Sequence, residues 1–166
     1  MTRPSNTEGR YIDLVPEDDL LSALESQTRE TEKVLRSISE EKSKYRYAPD
    51  KWSIKTLLRH VTDTERIFGY RMVALARGET QPLPGFDENV YANGSDADER
   101  RFADLLDEWR TVRAATIAML RGFSSRAWDR SGTTGGSKRS VRAIAYNTLG
   151  HERHHLKVLR EKYGVS

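Results

Sequence analysis

Residues 53–78 read SIKTLLRHVTDTERIFGYRMVALARG, and this stretch carries the clearest helical pattern in the chain. Its apolar residues recur at intervals of three and four, which is the period of one face of an α-helix. Ser53 is placed to cap the first turn, and Gly78 is placed to end the last. The pattern therefore predicts a long amphipathic helix between these two residues.

Three further segments show the same helical period, at about 16–39, 96–121 and 140–163. No segment shows a convincing alternation of apolar and polar residues, which is typical of a half-buried strand. We therefore expect an all-α fold, a four-helix bundle with one or two long crossover connections. Residues 16–166 are expected to form this single domain, and the polar residues 1–15 are expected to form a flexible N-terminal arm.

Length and composition exclude several classes of protein. The chain has 166 residues, which suits one domain with one sizeable core. Its net charge is +3, but Lys and Arg alternate with Asp and Glu, and no nucleic-acid-binding motif accompanies them. No stretch is long and apolar enough to span a bilayer, and residues 1–8 lack the apolar core of a secretory signal. We expect a cytoplasmic protein with a small-molecule partner rather than a membrane or nucleic acid.

The four histidines fall on only two of the predicted helices. His60 lies on the second helix, and His151, His154 and His155 lie on the fourth. At about 100° per residue, His151 and His155 point along the centre of the apolar stripe, whereas His154 lies at its margin. Residues four apart are neighbours on a helix, so this pair can direct two imidazoles at one ion. His60 lies at the edge of the buried stripe of its own helix.

One histidine from the second helix and two from the fourth form a candidate three-nitrogen metal site. Catalytic zinc sites have this form, with three protein ligands and an open position for water. The alternatives are hydrogen-bonded core histidines, or an ion that ties two helices together without catalysis. Three imidazoles suit zinc, nickel, copper or iron about equally. Because the sequence contains no cysteine, no protein thiolate can bind the ion or act as a nucleophile.

Other residues are candidates for the surroundings of such a site. Arg71 falls on the same side of its helix as His60, where a guanidinium binds an anionic substrate or forms a structural salt bridge. Phe86 and Tyr91, in the Pro- and Gly-rich crossover, are candidates for a pocket wall. Three carboxylates near the histidines in sequence point away from them on the helix and are expected in ion pairs: Asp63, Glu65 and Glu152. Each of these could also orient an imidazole through its free N–H.

Five short motifs occur together along most of the chain, from about residue 17 to residue 163. They are WSIK at 52–55, LRHVTDTE at 58–65, YR at 70–71, PGFDE at 84–88 and GHERHH at 150–155. In their order and spacing these motifs resemble the DinB superfamily, the DinB/YfiT-like metal-binding four-helix bundles.

The resemblance implies an up-down-down-up bundle in which His60, His151 and His155 hold a divalent ion, usually zinc or nickel. His154 would then lie behind the ligands or at the rim. Members of the family tend to form homodimers, and characterised ones include thiol-dependent S-transferases and isomerases that use low-molecular-weight thiols. The resemblance thus implies a metal-dependent enzyme, transferase-like or hydrolase-like, with a non-catalytic metal-stabilised bundle as the alternative. It assigns no catalytic residue beyond the metal ligands.

Overall fold

Within residues 3–166, which the computed structural model describes (at Asn6 the backbone alone), four long α-helices form the body and three short ones lie in the connections. In chain order they are α1 (Leu20–Arg36), α2 (Glu40–Ser43), α3 (Ile54–Arg77), α4 (Glu88–Asn93), α5 (Phe102–Arg121), α6 (Ser125–Asp129) and α7 (Val141–Tyr163). The expected four-helix bundle is confirmed. In this part of the chain, no helix has both the length and the apolar character needed to cross a membrane.

The ends of α3 and α7 are set by the residues that the sequence indicated. Ser53 caps α3, since its side-chain oxygen accepts a hydrogen bond from the N–H of Thr56 at 3.0 Å. Ser140 caps α7 in the same way. Gly78 and Gly164 end the two helices in the left-handed conformation. The two helices that carry the histidines therefore begin and end where predicted.

The other two long helices are shorter than expected. α1 begins at Leu20, after the N-cap Asp19, whose carboxylate accepts the N–H of Ser22 at 3.2 Å. Pro16, expected in the first turn, precedes the helix. Residues 97–99 form a separate 3-10 turn, and α5 begins only at Phe102. α1 also ends earlier than expected, at Arg36 and not near residue 39. All three differences lie at helix ends, where propensity alone is a weak guide.

A β-hairpin takes the place of the irregular loop expected before the fourth helix. Strands β1 (Ser131–Thr134) and β2 (Ser137–Ser140) pair antiparallel around a turn at residues 135–136. The expectation of no strand is wrong here, because these strands are too short and polar to alternate visibly. The hairpin matters for the site, because the N–H of Leu83 donates to the Thr133 carbonyl at 2.9 Å and so joins it to the crossover after α3.

The long helices run in an up-down-down-up order, as the family resemblance implies. One apolar cluster joins the C-terminal halves of α1 and α7 to the N-terminal halves of α3 and α5, and a second cluster joins the opposite halves. α3 packs on α5 and α7, and α1 packs on the same two helices. α1 and α3 therefore lie across the bundle from each other.

A layer of buried polar side chains lies between the two apolar clusters. It contains residues from the middle of all four long helices. Its members include Gln27, Thr31, His60, Thr64, Glu65, Arg113, His151 and Glu152. Since buried polar groups are costly unless they are paired, this layer is where a functional site is to be sought.

The last residues of the segment before α1 pack on α7. Ile12 and Val15 are fully buried. The Tyr11 N–H donates to the side-chain oxygen of Asn147 at 2.9 Å. Ile12 and Val15 therefore contribute to the core, in contrast to the loose arm that the sequence predicts, whereas Asp13 and Leu14 between them are exposed. The arm's first two residues lie outside the described part of the chain, and the domain boundary at residue 16 stays a prediction.

Gly150 allows this segment to approach α7. A Cβ at position 150 would lie 2.0 Å from the carbonyl oxygen of Tyr11. We predict that Gly150→Ala lowers the free energy of unfolding by about 1–3 kcal/mol, the usual cost of overpacking. Denaturant-induced unfolding followed by circular dichroism measures this change.

Gly69→Ala is the matched control. Gly69 also lies within a long helix, but a Cβ there would have no neighbour within 4 Å. We expect this variant to be more stable than the wild type by about 0.5–1 kcal/mol, from helix propensity. Equal effects of the two substitutions would show that the Tyr11 contact does not constrain α7.

Candidate metal centre

Three histidine side chains meet between α3 and α7. The Nε2 atom of His151 lies 3.0 Å from that of His60 and 3.1 Å from that of His155. One nitrogen from each ring lies within 4.8 Å of the other two. His60 and His151 are buried, and His155 is half-buried. The structure therefore brings together the three histidines that the sequence singled out.

The protonation state of these rings suits metal binding. Burial lowers the pKa of His60 and of His155, and burial followed by the charge of His60 lowers the pKa of His151 to about 3. All three imidazoles are therefore neutral at pH 7. The Nε2 of a neutral ring carries either one N–H or one lone pair, so the Nε2 of His151 satisfies at most one of its two close neighbours. A cation satisfies all three lone pairs at once.

The spacing of the nitrogens also fits an ion. Two imidazole nitrogens bound at 2.0–2.1 Å to one tetrahedral ion lie roughly 3.3 Å apart, near the separations found here. A donor set of three neutral nitrogens suits several transition metals, so the site chemistry leaves the element open. The residues present thus fit a divalent transition-metal ion.

Aromatic rings fix the orientation of the imidazoles. The Trp52 ring lies 4.9 Å from that of His60, and the Tyr11 ring lies 5.4 Å from that of His151, centroid to centroid. His154 is half-buried and outside the cluster, with its ring 5.0 Å from that of Tyr11 and 5.1 Å from that of His155. This placement agrees with its position at the margin of the helical stripe.

The third histidine faces a second opening. The Nδ1 atom of His155 is buried and has no hydrogen-bond partner among the described residues. His155 also lines a cavity of about 220 Å³ together with Tyr47, Trp52 and Tyr163. His155 therefore differs from the other two histidines of the cluster, which line the larger cavity described below.

A buried ion triplet lies in the same polar layer. The Arg113 guanidinium, fully buried, donates to both oxygens of Glu65 at 2.9 Å and pairs with Glu152. Glu152 also accepts hydrogen bonds from the Thr31 hydroxyl at 2.6 Å and from the Trp109 indole N–H at 3.2 Å. The expected ion pairs of the two glutamates are thus present, but inside the bundle rather than on its surface.

The charges of the triplet do not cancel. Burial alone would lower the pKa of Arg113, but Glu152 and Glu65 outweigh it and raise that pKa above its ordinary value. Arg113 therefore stays protonated beside two carboxylates. One arginine and two glutamates give the triplet a formal charge of about −1 inside the bundle. Glu152 follows the histidine at position 151 directly in α7, so this charge lies on a helix that supplies the metal candidates.

A cavity of about 270 Å³ opens beside His60 and His151. Its walls come from α3, α7, the crossover after α3, the hairpin and the segment before α1. The residues that line it are Arg10, Tyr11, His60, Thr64, Phe68, Arg71, Gly85, Phe86, Glu88, Thr134, Gly135, Arg139, Ile144, Asn147 and His151. Its volume is just under the range of small-molecule pockets, roughly 300–1,000 Å³.

Arg71 and Phe86 are in the wall of this cavity, whereas three other candidates for the surroundings of the histidines are not: His154, Asp63 and Tyr91. Tyr91 is 52% exposed and packs on Phe86, with 5.3 Å between ring centroids, outside the lining. Asp63 forms ion pairs with Arg59 at 3.2 Å and with Arg66 at 3.1 Å. The ion-pair interpretation of Asp63 is the one the structure supports.

Sequence reasoning missed several residues of the cavity wall. Thr64 lies one turn after His60 in α3, so its position on that face was visible in the sequence. Tyr11 and Arg139 come from the presumed arm and from the hairpin, and no local pattern connects them to the histidines. Such contacts depend on how distant segments pack, which periodicity does not report.

We predict that Arg113→Met strongly destabilises the bundle, because two buried carboxylates lose their counter-charge. The expected loss is about 3–5 kcal/mol of unfolding free energy. Arg110→Met, one turn earlier in α5, removes an arginine that is 45% exposed and pairs with Glu32 and Asp107. That control should cost at most about 1 kcal/mol. Urea unfolding compares the two, and a similar small loss for both would contradict a structural role for the triplet.

Comparison with known proteins gives one family and one fold. A model of the DinB superfamily matches residues 23–159. The structure is similar to that of YfiT from Bacillus subtilis, described as a probable metal-dependent hydrolase with an unusual four-helix bundle topology. The TM-score is 0.76, with 15% identity over 90% of this chain and 88% of that chain. A search of the curated proteins gave no match.

The structure is also similar to a mycothiol-dependent maleylpyruvate isomerase. The TM-score is 0.71, with 14% identity over 93% of this chain. The aligned part is 63% of the isomerase, so this chain spans less than two thirds of that protein's length. Likeness at these identities shows a shared fold.

Proposed function

Since this chain belongs to the DinB superfamily, we propose that it is a metal-dependent enzyme acting on a small molecule, of the thiol S-transferase or hydrolase kind. His60, His151 and His155 are the proposed ligands of a divalent ion, zinc or nickel. The observation that carries the proposal is the convergence of three neutral imidazole nitrogens, two of them from histidines that line a cavity of about 270 Å³.

The chain's own residues have distinct parts in this proposal. The histidines hold the ion, and the rings of Trp52 and Tyr11 keep two of them in orientation. When bound, a divalent ion supplies Lewis acidity, which lowers the pKa of a water or thiol and yields a nucleophile near neutral pH. Phe68 and Phe86 give the cavity apolar wall area that limits the water around a bound substrate.

A thiol reaction would need an external thiol. The sequence contains no cysteine, so a low-molecular-weight thiol cosubstrate is the proposed partner for transferase chemistry. The mycothiol-dependent neighbour supports this choice, and the metal-dependent hydrolase description of YfiT supports the hydrolytic alternative.

A homodimer is proposed from the family resemblance. Large apolar side chains are exposed on α3 and α4, among them Tyr70 at 60% and Val90 at 65%. These side chains offer surface to a second copy, because exposed apolar area is typical of protein interfaces. Sedimentation equilibrium measures the assembly state directly.

Metal content tests the ligand assignment. We predict that untagged wild-type protein binds about one ion per chain, and that His60→Ala, His151→Ala and His155→Ala each lose most of it. His154→Ala is the matched control, since its ring lies beside the cluster without joining it. Elemental analysis by mass spectrometry gives the stoichiometry. Wild-type metal content in all three alanine variants would overturn the assignment.

Catalysis is tested separately from metal binding. We predict that the metal-loaded protein transfers or hydrolyses at least one member of a panel of thiols with electrophiles and of small esters, and that His60→Ala abolishes that activity. Thermal melting with and without a chelator is measured in parallel. A large loss of melting temperature on chelation, with no activity toward the panel, would instead show a non-catalytic bundle in which the ion ties α3 to α7.

A further inference from the structure

Arg71 carries a buried charge that faces the cavity beside the histidines. Its side chain is 7% exposed, and it forms no ion pair with any carboxylate of residues 3–166. One N–H donates to the Pro84 carbonyl at 2.8 Å. The guanidinium lies 5.7 Å from the centroid of the Phe68 ring and 5.8 Å from that of Phe86. The crossover and two aromatic rings therefore hold the guanidinium, while most of its five N–H groups stay unused.

A second guanidinium lines the same cavity. Arg139, on β2, is half-buried, and one of its N–H groups donates to the Glu8 carbonyl. The Glu8 carboxylate instead accepts the backbone N–H of Ser140. Burial first, and then the charge of Arg139, lower the pKa of Arg71, so the two cations oppose each other. Without a counter-charge, this arrangement is unfavourable.

The remaining charges at the cavity do not neutralise the pair. Arg10 adds a third guanidinium on the exposed side, and Glu88 is the one carboxylate among the lining residues that the structure describes. Three cations against one anion leave a net charge of about +2. The lining is therefore complementary to a negatively charged molecule.

Two hydroxyls in the wall are buried without partners. Thr64 is 3% exposed and Thr134 is 1% exposed, and neither side-chain oxygen has a hydrogen-bond partner among the described residues. Both residues line the cavity with Arg71. A buried hydroxyl that lacks a partner costs about 1–3 kcal/mol. Their position in this wall indicates that a ligand with oxygen atoms completes their hydrogen bonding.

We propose that this cavity binds the oxyanion of the substrate, a carboxylate or phosphate group, through Arg71 and Arg139, with Thr64 and Thr134 donating hydrogen bonds to it. The guanidinium plane suits either group because it presents paired N–H donors. The carbon skeleton of the substrate then lies against the rings of Phe68 and Phe86, on the side of the cavity that the histidines line. The proposal names the substrate class of the same site and so rests on the proposed function.

A structural salt bridge is the simpler role for a buried arginine, and Arg113 illustrates it. That arginine pairs with two carboxylates and donates a further hydrogen bond to the Thr28 hydroxyl at 3.3 Å. Arg71 has a backbone carbonyl and two rings instead. Within one bundle, the two arginines thus differ in whether their charge is compensated by the protein.

Calorimetric titration of the protein as purified tests the proposal. The probes are succinate, inorganic phosphate and the neutral analogue succinamide. We expect succinate or phosphate to bind at least tenfold more tightly than succinamide. Arg71→Gln should weaken that binding tenfold or more, and Arg139→Gln should weaken it severalfold, since each removes charge-assisted hydrogen bonds. Arg101→Gln, which removes an exposed charge remote from the cavity, should leave binding unchanged.

Thr134→Val keeps the test decisive if the Arg71 variant folds poorly. Valine has nearly the same shape, and no hydrogen bond is lost from the protein. We expect unchanged or higher stability together with severalfold weaker succinate or phosphate binding. A purely structural threonine would leave anion binding unaltered. Equal affinity for succinate and succinamide, or wild-type anion affinity in both Arg71→Gln and Thr134→Val, would overturn the proposal.

Metal content is measured on the same samples so that the two proposals can fail separately. Loss of anion binding in Arg71→Gln with wild-type metal content supports the oxyanion site. Normal metal content in the wild type with no anion binding overturns this inference alone. Anion binding that persists in His151→Ala after its metal is lost shows that the arginines, and not the ion, hold the oxyanion.

Discussion

The fold depends on a buried arginine held between two glutamates. Arg113 of α5 joins Glu65 of α3 to Glu152 of α7. The Thr31 hydroxyl of α1 donates a hydrogen bond to Glu152. Three charges removed from water are stable only when every partner is in place, so the triplet tolerates little displacement of one helix along another. The triplet and the histidines lie in the same buried polar layer, so this constraint on the helices also sets the relative position of the histidines. With α3 and α7 in that register, His60 and His151 face each other across the helix interface.

The polar layer has two sides with opposite electrostatic character. On the side away from the cavity, the triplet carries more negative than positive charge, and neither glutamate lines the cavity. On the cavity side, arginines outnumber carboxylates. The neutral imidazoles lie on the helices between them. A cation bound by the imidazoles has negative charge behind it in the bundle, and an anion in the cavity has guanidinium groups around it. The fold therefore contains charge complementary to each of the two proposed ligands, the cation and the anion.

The sequence predicted the features that repeat along a helix. The capping residues indicated the bounds of α3 and α7. The period of 3.6 residues indicated the pairing of His151 with His155 and the margin position of His154. Features made by packing between distant segments were not predictable in this way. The hairpin has too few apolar residues to show alternation. Glu65 and Glu152 do point away from the histidines on their own helices. This direction leads into the bundle, and not to water, because α5 packs there and supplies Arg113.

Part of the cavity's charge comes from the connections and was not visible in the sequence pattern, whereas Arg71 lies on α3 and was visible there. Arg139 reaches the site from a hairpin, and Pro84 accepts from Arg71 in a crossover whose backbone is paired to that hairpin at Leu83. Loops carry specificity on a scaffold that regular helices keep rigid. The metal candidates thus lie on the long helices, whereas the anion candidates come from both parts of the fold, Arg71 from α3 and Arg139 from the hairpin. Residues 79–87 and 131–140 contribute nothing to the ion triplet, so substitutions there leave Arg113 and its two glutamates in place.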